Sequence, residues 1–133
     1  MIPIVILLLS FKYPIVPPIP GSLCTPRDPD FKEYRYPEKI AYCKRNVTTQ
    51  RKIDICARDG VYNRRHYTVD HFIPLSMGGS NHDDNLWCQH EDLAVTGLEY
   101  NLYRKMYRGD IGQSNAIRII KKAKLNPPFY IQK

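Results

Sequence analysis

YTVDHFIPLSMGGSNHDDNLWCQH, residues 67–90, is the stretch from which the rest of the chain is read. Tyr67, Thr68 and Val69 are aromatic and β-branched, which suits a short strand ending on Asp70 and His71. Asp70 offers a hard oxygen ligand, and His71 is the side-chain type best suited to take a proton near neutral pH. Gly78-Gly79 supplies a turn that most residues resist. Beyond it, Asn85 and the apolar pair Leu86-Trp87 imply that the chain returns antiparallel, as a hairpin-like loop with Asp70, His71 and Asn85 near its mouth. Trp87 alternates with Asn85 along the returning strand and is expected in the core beneath that loop. An isolated Asp-His pair would read as a surface turn; the proline, the double glycine and the Asn-Leu-Trp triplet in register argue against that.

The spaced elements DH-x-x-PL-x-x-GGS-N and D-NLW resemble the HNH, or ββα-metal, nuclease family. The resemblance implies an α+β fold: a small ββα-metal core with flanking helices and a loop-rich N-terminal extension. It also implies a metal-dependent endonuclease that hydrolyses phosphodiester bonds of DNA or RNA with little sequence specificity. Such hydrolysis needs an activated water, a charge clamp for the phosphorane oxygens and help for the leaving 3′-oxygen. By resemblance, Asp70 is a metal ligand and His71 the general base. Asn85 belongs to the same catalytic set, fixing the loop or contributing on the metal side. The family's third metal-side residue, usually His or Asn, would fall on Ala94, where this chain departs from the pattern. Glu99 is then the candidate ligand, with water as the alternative. Oxygen ligands favour Mg²⁺, with Mn²⁺ as a substitute; a site that included His90 would favour Zn²⁺ or Ni²⁺. His66 and His82 read as surface groups. Residues 28–47 resemble an upstream region of some bacterial secreted members.

The 133 residues suit one small domain. The opening run MIPIVILLLSF is shorter than the about 20 apolar residues of a membrane-spanning helix. It reads as a signal-peptide core followed by a Pro-rich spacer, giving a leader at 1–22, a nuclease domain at 23–133 and a motif core at 66–108. Cleavage near Gly21 or Ser22 would make the protein secreted or periplasmic; a buried N-terminal strand or helix would make it cytoplasmic. Neither version inserts stably in a membrane. Cys24, Cys43, Cys56 and Cys88 form an even set without a C-x-x-C pair, which disfavours structural zinc. In an oxidising compartment they would staple the domain, with Cys24–Cys43 and Cys56–Cys88 as the working pairing; in the cytosol they would be buried thiols.

The net charge of +7 is unevenly distributed. Residues 27–65 carry 11 basic and 6 acidic side chains. Residues 66–99 carry six carboxylates and neither Lys nor Arg, and residues 104–133 carry 8 basic side chains and one acidic. Carboxylates to hold a cation between Lys and Arg to neutralise phosphates suit a protein acting on a DNA or RNA backbone. A solvated charged surface has the same appearance.

Residues 25–38 show no sustained period and are expected as an ordered loop. Residues 46–60 read as a helix capped by Asn46 or Thr48, with Ile53, Cys56 and Ala57 inward and Gly60 ending it. Asp92 is placed to cap a second helix running to about Arg108, with Leu98, Leu102 and Met106 on one stripe and Gly109 at its end. Ser114 is placed to cap a third, with Ala116, Ile117 and Ile120 inward and Arg118, Lys121, Lys122 and Lys124 outward. Two other functional classes fit parts of the pattern: a catalytically idle ββα-metal module that binds nucleic acid, and a secreted, disulfide-stapled interaction protein.

Overall fold

The computed structural model describes residues 13–127. The apolar opening run and the last six residues lie outside them. Within the described residues the chain is an α+β fold with two two-stranded antiparallel sheets and three α-helices, in the order β1 (Phe31–Arg35), β2 (Ile40–Cys43), α1 (Thr49–Arg58), β3 (Tyr67–His71), β4 (Leu86–His90), α2 (Thr96–Arg108) and α3 (Gln113–Leu125).

The hairpin β3–β4 forms as its pattern implies, in the register Tyr67↔His90 through Asp70↔Trp87 to His71↔Leu86. Its connection is built around Gly79, where a Cβ would run into the Ile73 carbonyl, and Gly78, which turns the chain at φ +87. Residues 20–24 dock on this connection. The Gly21 amide donates to Asp84 O (2.8 Å), the Cys24 amide to Gly78 O (2.8 Å), and Leu23 bridges Gly79.

One apolar cluster gathers Ile40, Ile73, Met77, Leu102, Met106, Ala116 and Ile120 between the connection, α2 and α3. A second gathers Ile55, Cys56, Val61, Val69, Leu86 and Cys88 between α1 and β3–β4. Thr48 caps α1 by accepting from the Arg51 amide (3.2 Å), and Gly60 follows the helix at φ +82. Gly109 ends α2 in the left-handed region.

Four expectations are corrected. Residues 25–38 are not all loop: Phe31–Arg35 pairs with Ile40–Cys43, across a turn whose Tyr36 and Lys39 both take positive φ. Tyr36 holds that turn because its hydroxyl donates to Ser76 O (2.6 Å) while its half-buried ring meets Tyr103 edge-on; burial pushes its pKa up to about 12. Ile53 is 42% exposed, and the inward face of α1 is Ile55 and Cys56. Helix α2 begins at Thr96 and not after Asp92, because residues 91–93 form a separate 3₁₀ turn in which the Asp92 amide is taken by His90 Nδ1 (3.1 Å). Helix α3 begins before Ser114, at Gln113, whose amide donates to the Glu38 carboxylate (2.8 Å) from the β1–β2 turn.

Both disulfides are present, Cys24–Cys43 and Cys56–Cys88. The first ties the N-terminal segment to β2, and the second ties α1 to β4. Cys56–Cys88 closes a chain separation of 32 residues, so the paired change Cys56→Ser with Cys88→Ser is expected to cost about 3–4 kcal/mol. Chemical denaturation read by circular dichroism measures it, and a loss under about 1 kcal/mol would show that the apolar cluster alone holds α1 on the sheet. No helix among the described residues is long and apolar enough to cross a membrane.

Candidate active site

Asp70 and His71 end β3, and Glu99 stands in the first turn of α2; with Arg45 and Ser76 they line one cleft of about 210 Å³. Successive strand residues point to opposite faces, so the neighbours Asp70 and His71 meet different surroundings. Asp70 faces Trp87 across the ladder, and the indole Nε1 donates to its Oδ2 (2.9 Å). That bond satisfies the one polar atom of a ring that is otherwise fully buried.

His71 is buried, with 3% exposure, and its Nε2 lies 2.9 Å from Asn81 Oδ1. The amide orientation of Asn81 follows from its other partners: Nδ2 donates to Asp30 Oδ2 (2.7 Å) and to Lys44 O (2.9 Å), both acceptors, while Oδ1 also accepts from the Asn46 amide (3.2 Å). Oδ1 is therefore an acceptor toward His71, and Nε2 carries the hydrogen. In the neutral ring this leaves the lone pair on Nδ1. Burial pushes the His71 pKa below its ordinary value; the Asn81 bond opposes this, the Arg45 charge adds to it, Asp70 opposes it, and Lys124 adds to it. The imidazole is thus a neutral acceptor of fixed tautomer at neutral pH.

Lys124 departs from the expected outward face of α3. It is 4% exposed, and its Nζ donates to Asp70 Oδ2 (2.8 Å), His71 O (2.8 Å) and Phe72 O (3.1 Å), and pairs with Glu99 Oε1 (3.2 Å). Its place in line with Ala116 and Ile120 at four-residue spacing carries it inward. A buried ammonium is tolerable only with such partners. Burial raises the Glu99 pKa and the Lys124 charge opposes it, while Asp70 raises it further. Lys124 thus joins the two carboxylates that the sequence singled out separately.

Asn85 is fully buried and spends its amide on backbone. Oδ1 accepts from the Ile73 amide (2.9 Å) and the Ser22 amide (3.4 Å), and Nδ2 donates to Ile73 O (3.0 Å) and Ser80 O (2.8 Å). It holds the two ends of the Gly78-Gly79 connection together from inside. The remaining histidines lie outside the cleft: His66 pairs with Glu91 (3.0 Å), His82 with Asp28 (2.8 Å), and His90 caps the turn before α2.

Asp70 Oδ1 and Glu99 Oε2 have no hydrogen bond among the described residues. Two carboxylates beside an open cleft fit a hard divalent ion, since Mg²⁺ is commonly held by one or two carboxylates with water completing its shell. Lys124 offsets one of the two negative charges. Among the described residues, the group of three His, Cys, Asp or Glu ligand atoms lying within 4.8 Å of one another is Cys24, Asp28 and Cys43. Its two sulfurs are bonded to each other and offer no thiolate.

Arg45, which lines the cleft, and Asn81 and Lys124, which bind its His71, Asp70 and Glu99 from behind, have no role there on sequence alone. Asn81 stands in the GGS-N element, which marks its position but not its partners, while Lys124 is expected on the outward face of its helix. Comparison with protein-family models, with curated proteins and with solved structures gives no match.

Proposed function

We propose that this protein is a secreted, metal-dependent endonuclease of the ββα-metal type that hydrolyses phosphodiester bonds of DNA or RNA with little sequence preference. The observation that carries the reading is His71: a buried imidazole at the end of β3, oriented through Nε2 by Asn81, with the Nδ1 lone pair left to act in a cleft that also holds Asp70, Glu99 and Arg45. The order β3, β4, α2, with Asp70 at the end of the first strand and Glu99 at the start of the helix, supports the same type. The two disulfides suit an oxidising compartment.

A divalent ion, Mg²⁺ or Mn²⁺, held by Asp70 with Glu99 as second carboxylate, would supply Lewis-acid stabilisation of the phosphorane oxygens and of the leaving 3′-oxygen. His71 takes the proton of the attacking water on Nδ1, and Asn81, by accepting from Nε2–H, keeps the lone pair on Nδ1 in the resting enzyme. Arg45 places a positive charge on the cleft wall for a non-bridging phosphate oxygen. Asn85 acts through the loop, by keeping β3 and β4 at the separation that sets Asp70 beside Trp87. Supercoiled plasmid incubated with the purified protein is expected to be nicked in Mg²⁺ or Mn²⁺ and to stay intact in chelator. Unchanged plasmid in every divalent metal would remove the nuclease reading.

Lys124 favours a second reading. A buried ammonium already balances Asp70 and Glu99, as it would in an idle module that binds nucleic acid without cutting. Calorimetric titration separates the two: the idle module takes up no divalent ion at millimolar concentration, whereas the nuclease does.

A further inference from the structure

Helix α2 carries Tyr100, Tyr103 and Tyr107 along one side, with Arg104 and Arg108 beside them, around a surface hollow of about 300 Å³. Glu99 is the one residue of the helix that lines the cleft. Tyr100 is 58% and Tyr107 67% exposed, which is unusual for rings that bury well. Tyr103 is the fixed member, half-buried against Tyr36. Its ring centroid is 6.3 Å from those of both Tyr100 and Tyr107, with interplanar angles of 38° and 45°. The outer rings thus stand exposed on either side of Tyr103, each with room to offer a face to a planar group. Arg104 lies 5.9 Å from the Tyr100 ring, and Lys105 is exposed on the same helix.

We propose that this tyrosine-arginine strip binds single-stranded nucleic acid, stacking successive bases on the rings while Arg104 and Arg108 neutralise the phosphates. Three observations select this occupant. Flat, exposed rings serve any base without reading its edge. The cations beside them complement a polyanion. The strip begins one residue after Glu99 and runs about 10 Å along the helix axis, so a strand leaving the cleft passes directly onto it. A duplex keeps its base faces stacked inside and offers the rings nothing to receive. The inference deepens the nuclease reading, on which it rests for the position of the scissile phosphate, by naming single-stranded or locally opened nucleic acid as the preferred substrate.

The test is fluorescence anisotropy in chelator, so that binding is read without cleavage, with a labelled oligothymidylate and the matching duplex as probes. The single strand is expected to bind about tenfold or more tighter than the duplex. The double variant Tyr100→Ala with Tyr107→Ala is expected to lose about 10- to 100-fold of single-strand affinity with the slope of log affinity against log salt unchanged, because stacking releases no counterions. Arg104→Gln with Arg108→Gln is expected instead to flatten that slope by about 1 to 1.4. Both tyrosines are exposed, so the variant keeps the wild-type melting temperature, and a double Tyr→Phe variant keeps the affinity. Equal affinity for strand and duplex, or single-strand binding indifferent to the tyrosines, would overturn the proposal. So would a tyrosine variant that loses only self-association in sedimentation, or only adhesion to anionic lipid vesicles. Tyrosine-dependent single-strand binding by a protein that cleaves nothing would leave the strip standing and remove the nuclease.

Discussion

Changing His71 to alanine is expected to cut turnover on plasmid DNA by about 10² to 10⁴-fold while the affinity for Mg²⁺ or Mn²⁺ stays nearly intact. The base must be neutral to accept a proton, so wild-type activity rises with pH through the imidazole pKa. Burial holds that pKa below the ordinary 6.5, which places the rising limb below pH 6.5, and His71→Ala loses it. The same shift acts on folding: the folded state binds its His71 proton less readily than the unfolded state, so stability is present above pH 6.5 and declines as the pH falls from there through the lowered folded-state pKa. Asp70→Ala, in contrast, weakens the metal in calorimetric titration. Should His71→Ala abolish metal binding while Asp70→Ala leaves it untouched, the two roles are exchanged; if both variants cut at the wild-type rate, the cleft is not the active site.

Asn85→Ala carries the second large effect, and it falls on stability. The change removes four hydrogen bonds to backbone from a position with no exposure; it frees the half-buried Ser22 amide and strands the Ile73 amide, the Ile73 carbonyl and the Ser80 carbonyl inside the protein. At about 1–3 kcal/mol for each of the three buried groups left unsatisfied, the loss is about 3–9 kcal/mol, a large part of the stability of a domain this size. Urea unfolding should show it as a lower midpoint with an unchanged slope. Divalent-metal affinity per folded molecule should hold at low temperature. Near-wild-type stability with lost metal binding would move Asn85 from the loop to the metal.

The strand pair was legible because its signals are local. Tyr67, Thr68 and Val69 favour extension, Gly78 and Gly79 are needed where a Cβ has no room or φ is positive, and Asn85 with Leu86 and Trp87 marks the return. The left-handed glycines closing α1 and α2 were legible for the same reason. The β1–β2 hairpin was not, since its turn uses Tyr36 and Lys39 at positive φ where sequence rules look for Gly or Asn, and distant contacts to Ser76 and Tyr103 stabilise it.

From its sequence alone this protein is an α+β chain with a hairpin that presents Asp70 beside His71, an even set of cysteines and a charge pattern of acidic centre and basic flanks. Tertiary structure alone decided how those groups are used. It tied His71 to Asn81, and Asn81 to Asp30, across 51 residues. It also brought Lys124 from the last helix to join Asp70 and Glu99. The physical reason is that a residue's periodicity tells which face it lies on, whereas the charge of a buried ammonium or the tautomer of a buried imidazole depends on which acceptors packing brings within about 3 Å. Those acceptors come from chain segments that local propensity does not connect.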